Sequence, residues 1–190
     1  MRKRIINFKE FINESLKLSD RFNEDENETL GLLMHDKEHI LGVTHKNDPI
    51  LDSIFNKVGG EYYKGSLWRG VYRREKDLYE ELYLSGEKGI TTRYLSFSES
   101  KETAILFSTR TNILIELIDS KGLLNYHQWI REIAEQELEM NGGDTEDPNY
   151  ETLIETADEE LEHIMNIGSR ISVIGKRQEG DLTIYTIKQS

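Results

Sequence analysis

Cysteine is absent from the 190 residues, which excludes disulfides, thiolate nucleophiles, and cysteine-ligated zinc or iron–sulfur centres. Proline occurs only twice, and 36% hydrophobic against 32% charged residues is a globular rather than a disordered balance. No apolar run approaches the roughly 20 residues of a membrane span. The opening MRKRIINFKEF is interrupted by Lys9 and Glu10 before a signal-peptide core could form. A cytoplasmic protein with no membrane contact is expected. Excess positive charge is missing too. A net charge of -12 argues against a nonspecific grip on nucleic acid, because phosphate binding needs a basic footprint.

What is present is unevenly spread. Residues 131–162 hold thirteen Asp and Glu against one Arg, leaving 23 basic and 23 acidic residues elsewhere. An acidic segment thus sits on a neutral body. The length fits a single domain spanning 1–190, with a helical N-terminal part (1–60) and a β-rich core (65–188). Ile6, Phe8, Phe11, Ile12, Leu16 and Leu18 approximate one helix face, followed by Leu30, Leu32 and Leu33, then Ile50, Leu51, Ile54 and Phe55. Gly59-Gly60 closes that part.

From Ser66 the texture becomes strand-like: LWRGVY, then ITTRYLSF (90–97), then NILIELI (112–118). SESKETAILFS carries a helix start capped by Ser98 or Ser100. A longer helix is expected over 126–140 on Trp129, Ile130, Ile133, Ala134 and Leu138, ending at the loop NGGDTEDPN. ISVIGKRQEGDLTIYTI reads as a terminal hairpin.

Three short motifs carry candidate chemistry. SLWRGVYRR (66–74) sets Arg69 inside a strand, beside Gly70; alone, it reads as an edge-strand cation paired with a carboxylate. In YLSFSES, Ser96 and Ser98 alternate along a strand and share a face, which a strand leading into a helix cap explains equally well. Glu160 and Glu162, two apart before an apolar run, would project to one side if a strand begins there. Side by side they repel, so a cation or developing positive charge between them is required. The competing reading is the solvated end of an acidic helix.

Taken in order, these motifs resemble the mono-ADP-ribosyltransferases of the arginine, serine, glutamate (R-S-ExE) class. That class includes cholera-type and binary actin-modifying toxins. The resemblance covers roughly residues 65–188. It is strongest to the small phage enzymes, in which a Glu-x-Glu is followed by a small pair, here Gly168-Ser169. It implies an α+β ADP-ribosyltransferase fold with two packed antiparallel or mixed sheets, an NAD cleft and no metal.

It also implies roles. Cleavage of the nicotinamide–ribose bond passes through an oxocarbenium-like state, so Glu162 would stabilise positive charge on the ribose. Glu160 would orient or deprotonate an incoming guanidinium. Ser96, assisted by Ser98, would hold Glu162 and line the nicotinamide end. Arg69 would reach a pyrophosphate or ribose oxygen, and Gly70 would let the backbone approach nicotinamide. Phe107 would stack on nicotinamide and Arg110 would meet phosphate, although a core phenylalanine and a loop arginine remain alternatives.

Two departures from the family pattern stand out: Phe97 sits where many toxins carry Thr, and His163 follows the catalytic Glu where an apolar residue is common. His163 is expected to be a strand residue. His35, His39 and His45 have no ligand spacing above chance, which is why no metal is expected. GSRISVIGKRQEG lacks a phosphate-loop spacing. The expected activity is transfer of ADP-ribose from NAD to an arginine of a host protein by a monomer, with the acidic segment attracting a basic protein surface or serving as a solvated face. Two other readings stay open: a transferase acting on RNA, DNA or a small molecule, and a non-catalytic binding module of the same fold.

Overall fold

The computed structural model describes residues 19–32, 48–140 and 149–190. The expected helix face from Ile6 to Leu18, together with Leu33, His35, His39, His45 and most of the loop after Met140, lies outside them. The described chain begins with a 3-10 turn, Ser19–Arg21, and helix α1 (24–32). Helix α2 (Pro49–Val58) starts where Asp48 Oδ1 accepts from the backbone amides of Ile50 (2.8 Å) and Leu51 (3.3 Å), with Pro49 in the first turn, where its missing N–H costs nothing. Leu51, Ile54, Phe55 and Val58 are the buried stripe, at helical spacing; Ile50, expected on that face, is exposed.

Eight strands follow: β1 (Tyr62–Gly70), β2 (Lys88–Ile90), β3 (Leu95–Ser98), β4 (Ile113–Lys121), β5 (Leu124–Asn125), β6 (Glu162–Met165), β7 (Arg170–Glu179) and β8 (Leu182–Gln189). Helices α3 (Lys76–Ser85), α4 (Lys101–Phe107), α5 (Tyr126–Met140) and α6 (Asn149–Glu160) connect them. The strand order is β2-β7-β8-β4-β1-β3-β6-β5. β4 and β8 run parallel and the other pairs antiparallel. The architecture is therefore α+β with a mixed sheet. The expected two sheets correspond to a five-stranded and a three-stranded part that meet at one residue pair, Trp68 with Ser98.

The expected continuous strand over 90–97 is instead broken. Ile90 ends β2 beside β7, whereas Leu95 starts β3 beside β6. Thr91 makes the corner: its backbone bonds Ser169 O and Gly168 N, and its hydroxyl donates to Asn166 O (2.9 Å) while accepting from Ser169 N (2.9 Å). A side chain that satisfies the backbone of a distant turn pulls the chain out of the ladder. Helix α3 was not expected, because only Tyr79 and Leu82 of its ten residues are buried. Its end is nonetheless marked in the sequence by Gly86, left-handed at φ 69° and donating to Leu82 O.

Two larger cores flank the sheet. In one, α2 packs with Leu30, Tyr94, Tyr126, Trp129 and Ile164; in the other, Leu67, Phe97, Ile115, Met165, Tyr185 and Ile187 pack with Tyr79 of α3. Phe97 is 1% exposed, so the middle position of the Ser-Phe-Ser motif is an interior position of the second core. No described helix is long and apolar enough to cross a membrane.

Candidate functional site

β1 lies between β4 and β3, so Arg69 belongs to an interior strand rather than an edge. Burying a guanidinium there requires a carboxylate, and Glu75 supplies it. Arg69 Nη2 lies 3.3 and 3.2 Å from the two Glu75 oxygens, while Nη1 donates to the Ser96 carbonyl at 3.2 Å. Glu75 ends a 3-10 turn (Arg73–Glu75), also accepts from Tyr72 N, and ion-pairs with Arg93. One buried carboxylate thus sits between two guanidiniums, and the Tyr72 ring covers Arg69 at 5.5 Å. Arg69 Nε is buried with no hydrogen-bond partner. Sequence reasoning missed both Glu75 and Arg93, which lie 6 and 24 residues from Arg69 and acquire meaning only when the 3-10 turn and the Thr91 corner fold back on β1.

Gly70 has a steric reason to be glycine. A Cβ there would lie 2.6 Å from Ala104 O and from the Phe107 carbonyl carbon, and 2.7 Å from Ser108 N. The backbone of α4 rests directly on the end of β1. This seating brings the C-terminal half of the helix that follows the Ser motif against the Arg69 strand. A cleft of about 540 Å³ opens beside it, lined by Val71, Tyr72, Arg73, Leu106, Phe107, Thr109 and Arg110. Phe107 is 51% exposed, so it is a surface ring at a cleft rather than a core phenylalanine.

The register of β3 on β6 sets Ser98 opposite Glu162 and Ser96 opposite Ile164. Opposed residues of an antiparallel pair share a face. Ser98 Oγ donates to the Glu160 carbonyl at 2.6 Å and accepts from Ser100 N at 2.9 Å, so one buried hydroxyl ties the end of α6 to the start of α4. Ser100, one of the two expected caps, accepts from Thr103 N. Ser96 meets Arg69 through its backbone carbonyl.

The Glu-x-Glu pair does not lie on one strand. Glu160 is the last residue of α6, Leu161 turns at φ 45°, and β6 begins at Glu162. The alternation argument for a shared side therefore does not apply. A left-handed turn at Leu161 separates the two residues, and both carboxylates act on one buried phenol, Tyr126. Burial raises the Tyr126 phenol pKa well above its ordinary value, and the charges of Glu162 and Glu160 both push it in the same direction. Glu162 is 5% exposed and Glu160 is half-buried. The acidic-helix reading holds for Asp158 and Glu159, which are exposed on α6.

His163, next in β6 as expected, points to the opposite strand face. Its Nε2 meets Glu99 Oε1 at 2.8 Å, and its ring stands edge-on to His127 at 5.2 Å. Burial lowers the His163 pKa, against the opposing pull of Glu99.

The cleft residues suit a dinucleotide. Arg73 and Arg110 supply charge for phosphates, and Tyr72 and Phe107 supply rings for a nicotinamide or adenine face. The volume falls within the usual range for small-molecule sites, roughly 300–1,000 Å³.

No family model matches the chain, and no curated protein matches it. Solved structures do. Exoenzyme S from Pseudomonas aeruginosa, in complex with human 14-3-3 protein beta and bound to Carba-NAD, aligns with a TM-score of 0.61 at 12% identity over 90% of this chain and 76% of that one. The ADP-ribosyltransferase Vis from Vibrio splendidus, in complex with agmatine, aligns with a TM-score of 0.57 at 12% identity over 99% and 88%. The Clostridium limosum C3 exoenzyme aligns with a TM-score of 0.55 at 14% identity over 100% and 98%. At these identities the likeness is one of fold: the chain has the ADP-ribosyltransferase fold.

Proposed function

We propose that the chain is an NAD-dependent mono-ADP-ribosyltransferase that moves ADP-ribose to an arginine of a protein and releases nicotinamide. The observation that carries this reading is the adjacency of β1, β3 and β6, the strands that hold Arg69, the pair Ser96 and Ser98, and Glu162, with Arg69 tied to β3 through the Ser96 carbonyl. The fold shared with Exoenzyme S bound to Carba-NAD supports NAD as co-substrate, and the fold shared with Vis bound to agmatine, a guanidine compound, supports a guanidinium acceptor.

Bound NAD supplies the ADP-ribosyl group, its ribose–nicotinamide C–N bond breaking as a ribose–guanidine C–N bond forms. Glu162, buried and therefore strongly felt, stabilises the positive charge that develops on the ribose. Glu160, on the turn before it, takes the proton that the guanidinium loses. Arg69, Arg73 and Arg110 hold phosphates, Gly70 and the Ser96 carbonyl line the nicotinamide end, and Phe107 stacks. In this reading the catalytic apparatus lies within 65–188. The enzyme acts as a monomer on a host protein in the cytoplasm, the setting of a phage enzyme.

The test is transfer of labelled ADP-ribose into a lysate by the wild type, Glu162→Gln and Glu160→Gln. The expected result is labelling lost in both variants, with nicotinamide release reduced on the order of 10²–10³-fold in Glu162→Gln and retained in Glu160→Gln. Release of nicotinamide at wild-type rate by Glu162→Gln would overturn the role of that carboxylate. Mass spectrometry showing label on nucleic acid or a small molecule would overturn the arginine acceptor, and no nicotinamide release by the wild type would leave a binding module.

A further inference from the structure

Behind the Glu162 strand lies a cluster that the transferase reading does not use. The β3–β6 register sets Phe97 opposite His163, and the β5–β6 register sets Asn125 opposite the same His163. Glu99 and His127 each lie two residues further along, on either flank of β6. Antiparallel pairing on both sides thus brings a carboxylate and two imidazoles together from segments far apart in sequence. One ligand-capable atom of each lies within 4.8 Å of the others.

We propose that Glu99, His127 and His163 form a binding site for a divalent transition-metal ion, zinc by preference. The set of two histidines and one carboxylate leaves a fourth position for water, an arrangement zinc accepts. Imidazole ligands favour zinc, cobalt or nickel over magnesium or calcium, which take oxygen donors.

Three features of the cluster fit. His127 Nδ1 lies 3.2 Å from the Glu162 carbonyl, and donating there leaves the lone pair on Nε2, the second-layer hydrogen bond that orients metal-binding histidines. The His163 Nε2 to Glu99 Oε1 distance of 2.8 Å needs to open only to about 3.3 Å for both to reach one tetrahedral zinc at ordinary bond lengths. The Tyr63 ring packs against the His163 imidazole at 4.9 Å between centroids and limits its rotation.

Because His163 and Glu162 alternate along β6, the ion would sit on the face away from the Glu162 carboxylate. It would act as a clamp joining the β3–α4 connection, α5 and β6. A ligand of the folded state alone raises stability by mass action. Sequence spacing offers no ligand pattern for His35, His39 and His45, and from it no metal is expected. His127 and His163 are 36 residues apart, and only the register of β5 and β6 joins them.

The test uses the full chain without NAD, so its outcome is independent of whether the protein is a transferase. Cobalt is added and the visible absorption of a tetrahedral ion is recorded, then zinc is titrated calorimetrically. The proposal expects one ion per chain and a higher Tm with zinc. Each of Glu99→Gln and His127→Gln should weaken binding by at least the roughly 10–100-fold that an outer-layer partner costs, while a variant with His35, His39 and His45 all changed to Gln should bind as the wild type does. No tetrahedral cobalt spectrum from the wild type would overturn the site without recourse to any variant. So would full binding by Glu99→Gln and His127→Gln, or loss of binding in the triple variant.

Discussion

Ser98 stands opposite Glu162 across the β3–β6 ladder, and its hydroxyl donates to the carbonyl of Glu160 at 2.6 Å. One small side chain therefore holds the turn that carries both carboxylates. Ser98→Ala leaves the Glu160 carbonyl and the Ser100 amide without that partner. The expected loss is about 1–3 kcal/mol in urea unfolding, together with a fall in transfer activity larger than the loss of NAD binding. An unchanged unfolding midpoint would show that the hydroxyl does not secure the turn.

Glu75 separates Arg69 from Arg93 in a site from which water is largely excluded. Glu75→Gln keeps the shape and removes the negative charge that both guanidiniums face. Breaking one partner out of a buried pair costs about 3–5 kcal/mol, so a large drop in Tm is expected. Arg93→Gln, removing the more exposed of the two cations, is expected to cost less. Thermal unfolding of the two variants side by side checks the ranking.

At Gly70 a single methyl meets backbone, which cannot rotate away. Gly70→Ala is expected to displace α4 from β1 at a cost of about 1–3 kcal/mol, the usual range for overpacking. Because α4 carries Phe107 to the cleft, the KM for NAD should rise as well. Gly86→Ala, with open space around a left-handed backbone, should cost stability and leave that KM alone. Equal effects of the two variants on KM would contradict this.

Glu116 gives the acid dependence a sign. Burial pushes its pKa up, but the Arg177 guanidinium and the hydroxyls of Ser66 and Thr186, at 2.6, 2.9 and 2.9 Å, outweigh it and hold the carboxyl below its ordinary value of 4.5. A pKa depressed in the folded state means that the unfolded chain binds the proton first. The stabilisation is therefore present above about pH 4.5 and is lost as pH falls through the lower folded value. Glu116→Gln should flatten that part of the stability curve in chemical unfolding series across acid pH.

Local pattern and topology contributed differently to what could be read in advance. Helix α5 and the β7–β8 hairpin follow from repeats that act over a few residues: Trp129 and Ala134 on one helix face, and Gly180-Asp181 between two β-rich runs. The segment 90–97 has strand-forming side chains throughout, yet Thr91 leaves the ladder because its partners sit at 166–169. A propensity cannot register a partner 75 residues away. The same holds for Glu75, whose acidic neighbours in sequence are solvated helix residues until the turn buries it against Arg69.

By itself, the sequence determined the longer periodic elements, such as α2, α4, α5 and the β7–β8 hairpin, the order of Arg69, Ser96, Ser98, Glu160 and Glu162, and the chemistry those groups could perform, because hydrophobic period and side-chain type are local properties. Tertiary structure decided how they meet. Strand register made Ser98 the neighbour of Glu162, a left-handed Leu161 divided the Glu-x-Glu between helix and strand, and pairing on both flanks of β6 gathered Glu99, His127 and His163. The reason is physical: hydrogen bonds and ion pairs between segments far apart in sequence depend on the packing of the whole sheet, and no window along the chain contains both partners.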